Sequence, residues 1–186
     1  MARSEVFRGY RSLTVGFSGM LGLAAALFQS HFVPNPQDDL YQYLKWWIGV
    51  AVISAGVAGV ELYWRALKAG PGLSRDLTRL AVEQFAPCVI VGALLTLCIY
   101  LGAPEVAWML PGLWALLFGL GIFASYRLLP PQVIWAALYY VSCGCVCLRW
   151  GSYDALSPWQ MGVCFGGGQL FCAAILYWTL ERHHGS

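Results

Sequence analysis

Six uninterrupted apolar stretches, each long enough to cross about 30 Å of hydrocarbon as a helix, dominate this chain. They lie near Ser12–Val33, Trp46–Trp64, Gln84–Leu101, Trp108–Tyr126, Val133–Leu148 and Trp159–Trp178. Their residues are apolar at successive positions rather than alternate ones, which excludes a closed β-barrel. The bilayer core holds no water for backbone N–H and C=O groups, so the helix is the remaining way across. Composition agrees. Only 11% of the residues are charged and 59% are hydrophobic, where a soluble domain carries about a quarter charged residues. The same numbers exclude a disordered chain. A formal net charge of +2 makes no basic stripe, so nucleic acid is not an expected partner. The expectation is an all-α, six-helix membrane bundle, a single domain over residues 1–186, with the lipid bilayer as its first partner.

The cations orient that bundle. Arg3, Arg8, Arg11, Arg65, Lys68, Arg75, Arg79, Arg127 and Arg182 fall on one side of a six-span threading, and only Lys45 and Arg149 on the other. The positive-inside rule then puts both termini in the cytoplasm of a cell (inner or plasma) membrane. Eight of the nine tryptophans sit at or near span ends, where their amphipathic rings suit the headgroup level; Trp114 is expected to pack against another helix. The basic start runs into a full-length first stretch without a small-residue cleavage site, which reads as an uncleaved signal anchor.

Self-similarity divides the chain. An offset of 76 residues lays Gln84, Cys88, Gly92, Leu94 and Ile99 on Gln160, Cys164, Gly168, Leu170 and Ile175. An offset of 88 pairs Trp47, Ser54 and Gly56 with Trp135, Ser142 and Gly144, and one of 95 pairs Leu21, Phe28 and Ser30 with Leu116, Phe123 and Ser125. Halves of about 12–102 and 108–180 would each hold three spans, so the second must be inverted. That is the three-plus-three inverted-topology repeat of many transporters.

Small residues let helices approach in lipid. Ser18, Gly22, Ala26 and Ser30 on the first span, and Ala51, Ala55 and Gly59 on the second, read as seams. The third and sixth spans carry the stripes Gln84–Cys88–Gly92–Thr96 and Gln160–Cys164–Gly168–Cys172. Pro87 either kinks the third span or sits in its first turn. Gly166, Gly167 and Gly168 either loosen the sixth span or allow tight crossing. Interrupted segments in matching halves point to a site at a repeat interface. The candidate lining of a weakly polar path is therefore Gln84, Thr96, Ser54, Ser142, Gln169, Gly166, Gly167 and Gly168. Ser157, Pro158 and Gln160 read as an N-terminal cap of the sixth span. Residues Ser74–Glu83 read as a short amphipathic helix on the headgroups.

Reactive chemistry is sparse. Glu61 and Arg65 have the spacing of a helix ion pair. All seven cysteines lie within spans, where they make no secreted disulfide framework. Cys143 and Cys147 share a helix face that suits a soft ion such as Cu(I), although packing explains them as well. His31 has no second ligand at helical spacing, and His183 and His184 belong to a polar tail. No phosphate loop, nucleophile elbow or zinc-protease motif is present. The expectation is no catalysis, no cofactor and no metal. Two functions fit: a transporter or channel-like protein for a small solute, or a non-transporting accessory, assembly or sensory subunit whose partner is a membrane protein or a second copy.

Overall fold

The computed structural model describes residues 12–32, 39–68, 73–126, 129–153 and 155–181. The chain is all-helical, with six helices long and apolar enough to span a membrane: Ser12–Phe32, Leu40–Glu61, Val82–Gly102, Pro104–Ala124, Pro131–Trp150 and Pro158–Thr179. We label these spans α1 to α6. Such a chain has the make-up of a multi-pass integral membrane protein.

Three local features differ from expectation. The second span starts at Leu40 rather than Trp46, because the Asp39 carboxylate accepts the Gln42 backbone N–H at 3.0 Å and caps the helix. Trp47 is consequently drawn into the core, 3% exposed, instead of resting at a span end. The helix that contains α3 runs unbroken from Leu73 to Gly102, so Ser74–Glu83 forms its first turns and no separate element. Pro87 therefore stands in mid-helix, where it removes one ladder donor, and not in a first turn.

Two glycine-lined crossings hold the bundle together. On α1 and α6, a methyl group on Gly19 would stand 2.9 Å from the Gly166 carbonyl oxygen, and one on Gly22 would stand 3.2 Å from Gly166 Cα. A methyl on Gly162 would meet Ala26 Cβ at 2.7 Å. On α4 and α5 the same relationship joins Gly112 to Gly144, with Gly119 facing Val141 and the Ala137 carbonyl. In lipid, association rests on such close packing, because apolar burial brings no gain.

The remaining helices attach by rings and hydrogen bonds. Phe85 of α3 lies over Gly121 of α4, and the Trp114 indole N–H donates to Thr96 Oγ1 at 2.9 Å. Trp46 of α2 stacks on Phe28 of α1 and donates to the Ala25 carbonyl at 3.3 Å. The interior is aromatic: Phe118 meets Phe85, Tyr140 and Phe165 at ring-centroid distances of 5.1, 4.7 and 5.7 Å. These edge-to-face and tilted pairs fill the space among α3, α4, α5 and α6.

The sixth span departs from the α pattern over Gly162–Gly167 and Tyr177–Glu181, where it is π-helical. Such wide turns are rare, and they gather at functional sites. Here the first one has an evident support, since the Tyr139 hydroxyl of α5 donates to the Val163 carbonyl at 2.7 Å. Ser157 takes the N-cap backbone conformation ahead of α6 but makes no capping hydrogen bond through its side chain. The Gln160 side chain donates to the Gly151 carbonyl at 3.5 Å instead of reaching back to the cap.

Candidate functional site

The polar stripe of α3 is spent on α4. Thr96 is buried; its hydroxyl donates to the Gly92 carbonyl at 2.7 Å while accepting from Trp114. Gly92 faces Leu117, 3.5 Å from where its methyl would be. Gln84 is half-buried, with its carbonyl oxygen enclosed and without a hydrogen-bond partner.

The triple glycine is spent on α1 and α5. A methyl on Gly166 would meet Leu23 Cγ at 2.8 Å, one on Gly167 the Tyr139 hydroxyl at 2.6 Å, and one on Gly168 the Tyr140 ring at 2.5 Å. Each glycine is thus a socket for a neighbouring side chain. Of the other expected lining residues, Ser54 and Gln169 are half-buried, and Ser142 is exposed on the outside of α5. A groove of about 470 Å³ opens on the bundle surface between α1 and α6 among Gly16, Phe17, Met20, Leu170, Ala173 and Trp178, and is apolar.

The small-residue seams divide as well. On α1 the buried stripe is Gly19, Gly22, Ala26 and Gln29; Ser18 and Ser30 lie outside it, and their hydroxyls bond to the carbonyls of Thr14 and Leu27. On α2 the expected seam points away from the bundle: Ala51, Ala55 and Gly59 are exposed. A methyl on Gly49, Gly56 or Gly59 would meet nothing within 4 Å.

Two further groupings of polar side chains lie between the helices. At the α1–α2 end set by the Phe28–Trp46 contact, Gln29, Tyr43 and Trp47 are at most 3% exposed. Both amide atoms of Gln29, the Tyr43 hydroxyl and the Trp47 indole N–H lack hydrogen-bond partners. Buried polar groups without partners are uncommon in native proteins. Sequence reasoning passed over Gln29, although its place on the Gly19–Gly22–Ala26 stripe marked it as inward-facing. Toward the other end, Thr14 of α1 donates to the Glu61 carboxylate of α2. The Arg65 side chain, expected to pair with Glu61, lies outside the described residues.

The second grouping is made of thiols. Cys147 Sγ of α5 lies 3.5 Å from Cys164 Sγ of α6, both buried. Cys143, one turn from Cys147 on the same face of α5, is half-buried. The α5 pair was legible as one helix face; Cys164 comes from another helix, which no spacing rule could reveal. Among the described residues, no group of three or more His, Cys, Asp or Glu is arranged to hold a metal ion. Comparisons with protein families, with curated proteins and with solved structures find no match for this chain.

Proposed function

We propose that this chain is a non-transporting membrane subunit that works by lateral helix contacts, with α2 as its docking face. The observation that carries this reading is the outward seam Ala51–Ala55–Gly59, open along a helix otherwise lined by exposed Val52, Ile53, Val57 and Val60. Small residues on a transmembrane helix let a second backbone approach, and lipid tails have no use for that proximity. The partner is a helix of another membrane protein or of a second copy. The compartment in this reading is a cell inner or plasma membrane with both termini cytoplasmic, on the nine-to-two cation distribution. No catalytic role forms part of it.

A photo-reactive side chain placed at Ala55 in native membranes tests the proposal. A discrete protein adduct is expected, lost when Gly59→Leu blocks the face. Adducts with lipid alone would overturn it.

A second reading, passage of a small solute, is supported by the enclosed polar atoms of Gln29, Tyr43 and Trp47. The inverted repeat belongs with this reading. In its favour, α3 lies on α4 as α6 lies on α1, a neighbour pattern that exchange of halves preserves. The glycine-locked α4–α5 pair, however, corresponds to an α1–α2 pair joined through Trp46 and Thr14. Solute flux in proteoliposomes that Gln29→Leu abolishes would favour this second reading over the first.

A further inference from the structure

We propose that Cys143, Cys147 and Cys164 form a membrane-embedded thiol relay, oxidised by lipid hydroperoxides to a disulfide that ties α5 to α6. Three observations carry it. Cys147 and Cys164 hold their sulfurs 3.5 Å apart, a gap of about 1.5 Å beyond a disulfide bond that side-chain rotation can close. Cys143 stands one helical turn before Cys147, on the same face of α5. Of the three, Cys143 alone is half-buried, while the other two are enclosed, so it is the thiol that a reagent dissolved in lipid meets first.

The oxidant follows from the location. Apolar surroundings keep out charged aqueous oxidants, whereas a hydroperoxide on an acyl chain is delivered within the bilayer itself. The Cys143 thiol attacks the terminal peroxide oxygen; the O–O bond breaks, the lipid alcohol leaves with the thiol proton, and Cys143 becomes a sulfenic acid. Cys164 sulfur then attacks Cys143 sulfur, forming the S–S bond, and the hydroxyl departs as water with the Cys164 proton. Exchange completes the relay: Cys147 attacks Cys164 sulfur, and Cys143 is released as a thiol carrying the proton that Cys147 gives up. In sum, two thiols lose two electrons and two protons, and the hydroperoxide becomes alcohol and water. The product disulfide is fully enclosed, and the entry thiol is restored.

Cys164 sits in the π-helical turn Gly162–Gly167. Its ladder is already shifted from the α pattern, and Tyr139 of α5 supports it at Val163. The disulfide therefore fixes a turn of α6 that α5 already holds through Tyr139.

The test uses the full chain in lipid nanodiscs, treated with a fatty-acid hydroperoxide, quenched with an alkylating reagent and mapped by peptide mass spectrometry. A Cys147–Cys164 cross-link is expected, with Cys143 recovered as an alkylated thiol. Cys143→Ser should slow cross-linking by on the order of tenfold. Cys147→Ser should leave a Cys143–Cys164 link, and Cys164→Ser none. Oxidation confined to the exposed Cys98 and Cys145, or a rate unchanged by Cys143→Ser, would overturn the proposal. The wild-type peptide map separates the Cys147–Cys164 link from oxidation confined to Cys98 and Cys145 even if a variant fails to fold.

Discussion

Gly112 and Gly144 face each other so closely across α4 and α5 that a methyl group on either would stand 2.9 Å from the other's carbonyl oxygen. The pair is reciprocal, because each glycine also has a leucine of the opposite helix over it, Leu148 above Gly112 and Leu116 above Gly144. A backbone oxygen stands beside each leucine, so a change of leucine rotamer alone would not admit the methyl group.

Gly144→Ala should accordingly destabilise the bundle by about 1–3 kcal/mol, the usual cost of forcing atoms into a filled contact. Gly56→Ala on α2, where nothing lies within 4 Å, should be neutral or stabilising by up to about 1 kcal/mol, since alanine has less backbone freedom to lose in a helix. Thermal unfolding of the two purified variants in one detergent gives the comparison. Equal midpoints would mean that α4 and α5 slide apart to admit a side chain.

Adjacent tyrosines on α5 should respond in opposite ways. The Tyr139 hydroxyl donates to the Val163 carbonyl in the π-helical turn, whereas the enclosed Tyr140 hydroxyl has no hydrogen-bond partner. Tyr139→Phe should cost about 0.6 kcal/mol, the mean for such bonds between membrane helices. Tyr140→Phe should be neutral or stabilising by about 1 kcal/mol, since it deletes a buried group that nothing satisfies. Denaturant titration of both variants checks the sign; a loss at Tyr140 comparable to that at Tyr139 would contradict this assignment.

The six spans were legible because bilayer thickness sets a length that apolar residues must fill, and that rule needs no partner helix. The start of α2 escaped it, since Tyr41, Gln42 and Lys45 dilute the apolar run while the Asp39 cap holds the helix. Facing was harder to read. A four-residue step placed Ser18 and Ser30 on the α1 seam, but the buried stripe advances by three, four and three residues through Gly19, Gly22, Ala26 and Gln29. On α2 the small residues were recognised, and their outward aim was not, because spacing alone does not say which neighbour a face meets. Cys164 and the π-helical turn depend on contacts with α5, supplied by Cys147 and Tyr139. Information of that kind is absent from any single helix.

The link from α3 to α4 through Thr96 and Trp114 admits a double-mutant cycle. Thr96→Val and Trp114→Phe should each lower stability, and their coupling should be about 0.6 kcal/mol and no more than about 1.7 kcal/mol. Strict additivity would show that the 2.9 Å contact contributes nothing beyond packing.

Leu156, in the turn between α5 and α6, sets two effects against each other. It holds φ at 60° without being glycine, and it is only 4% exposed, packed in the cluster that contains Tyr43, Trp47, Leu110 and Met161. The left-handed conformation costs an L-residue about 1–2 kcal/mol, while burial of a leucine side chain is worth about 1.5–3 kcal/mol. Burial wins, which is why leucine persists at a position shaped for glycine. Leu156→Ala forfeits most of the burial and keeps the strain; Leu156→Gly forfeits the burial but releases it. Stability should therefore fall in the order wild type, glycine variant, alanine variant, with the last two about 1 kcal/mol apart once the greater freedom of glycine in the unfolded chain is counted. An alanine variant at least as stable as the glycine variant would mean that the turn relaxes its backbone once the leucine anchor is gone.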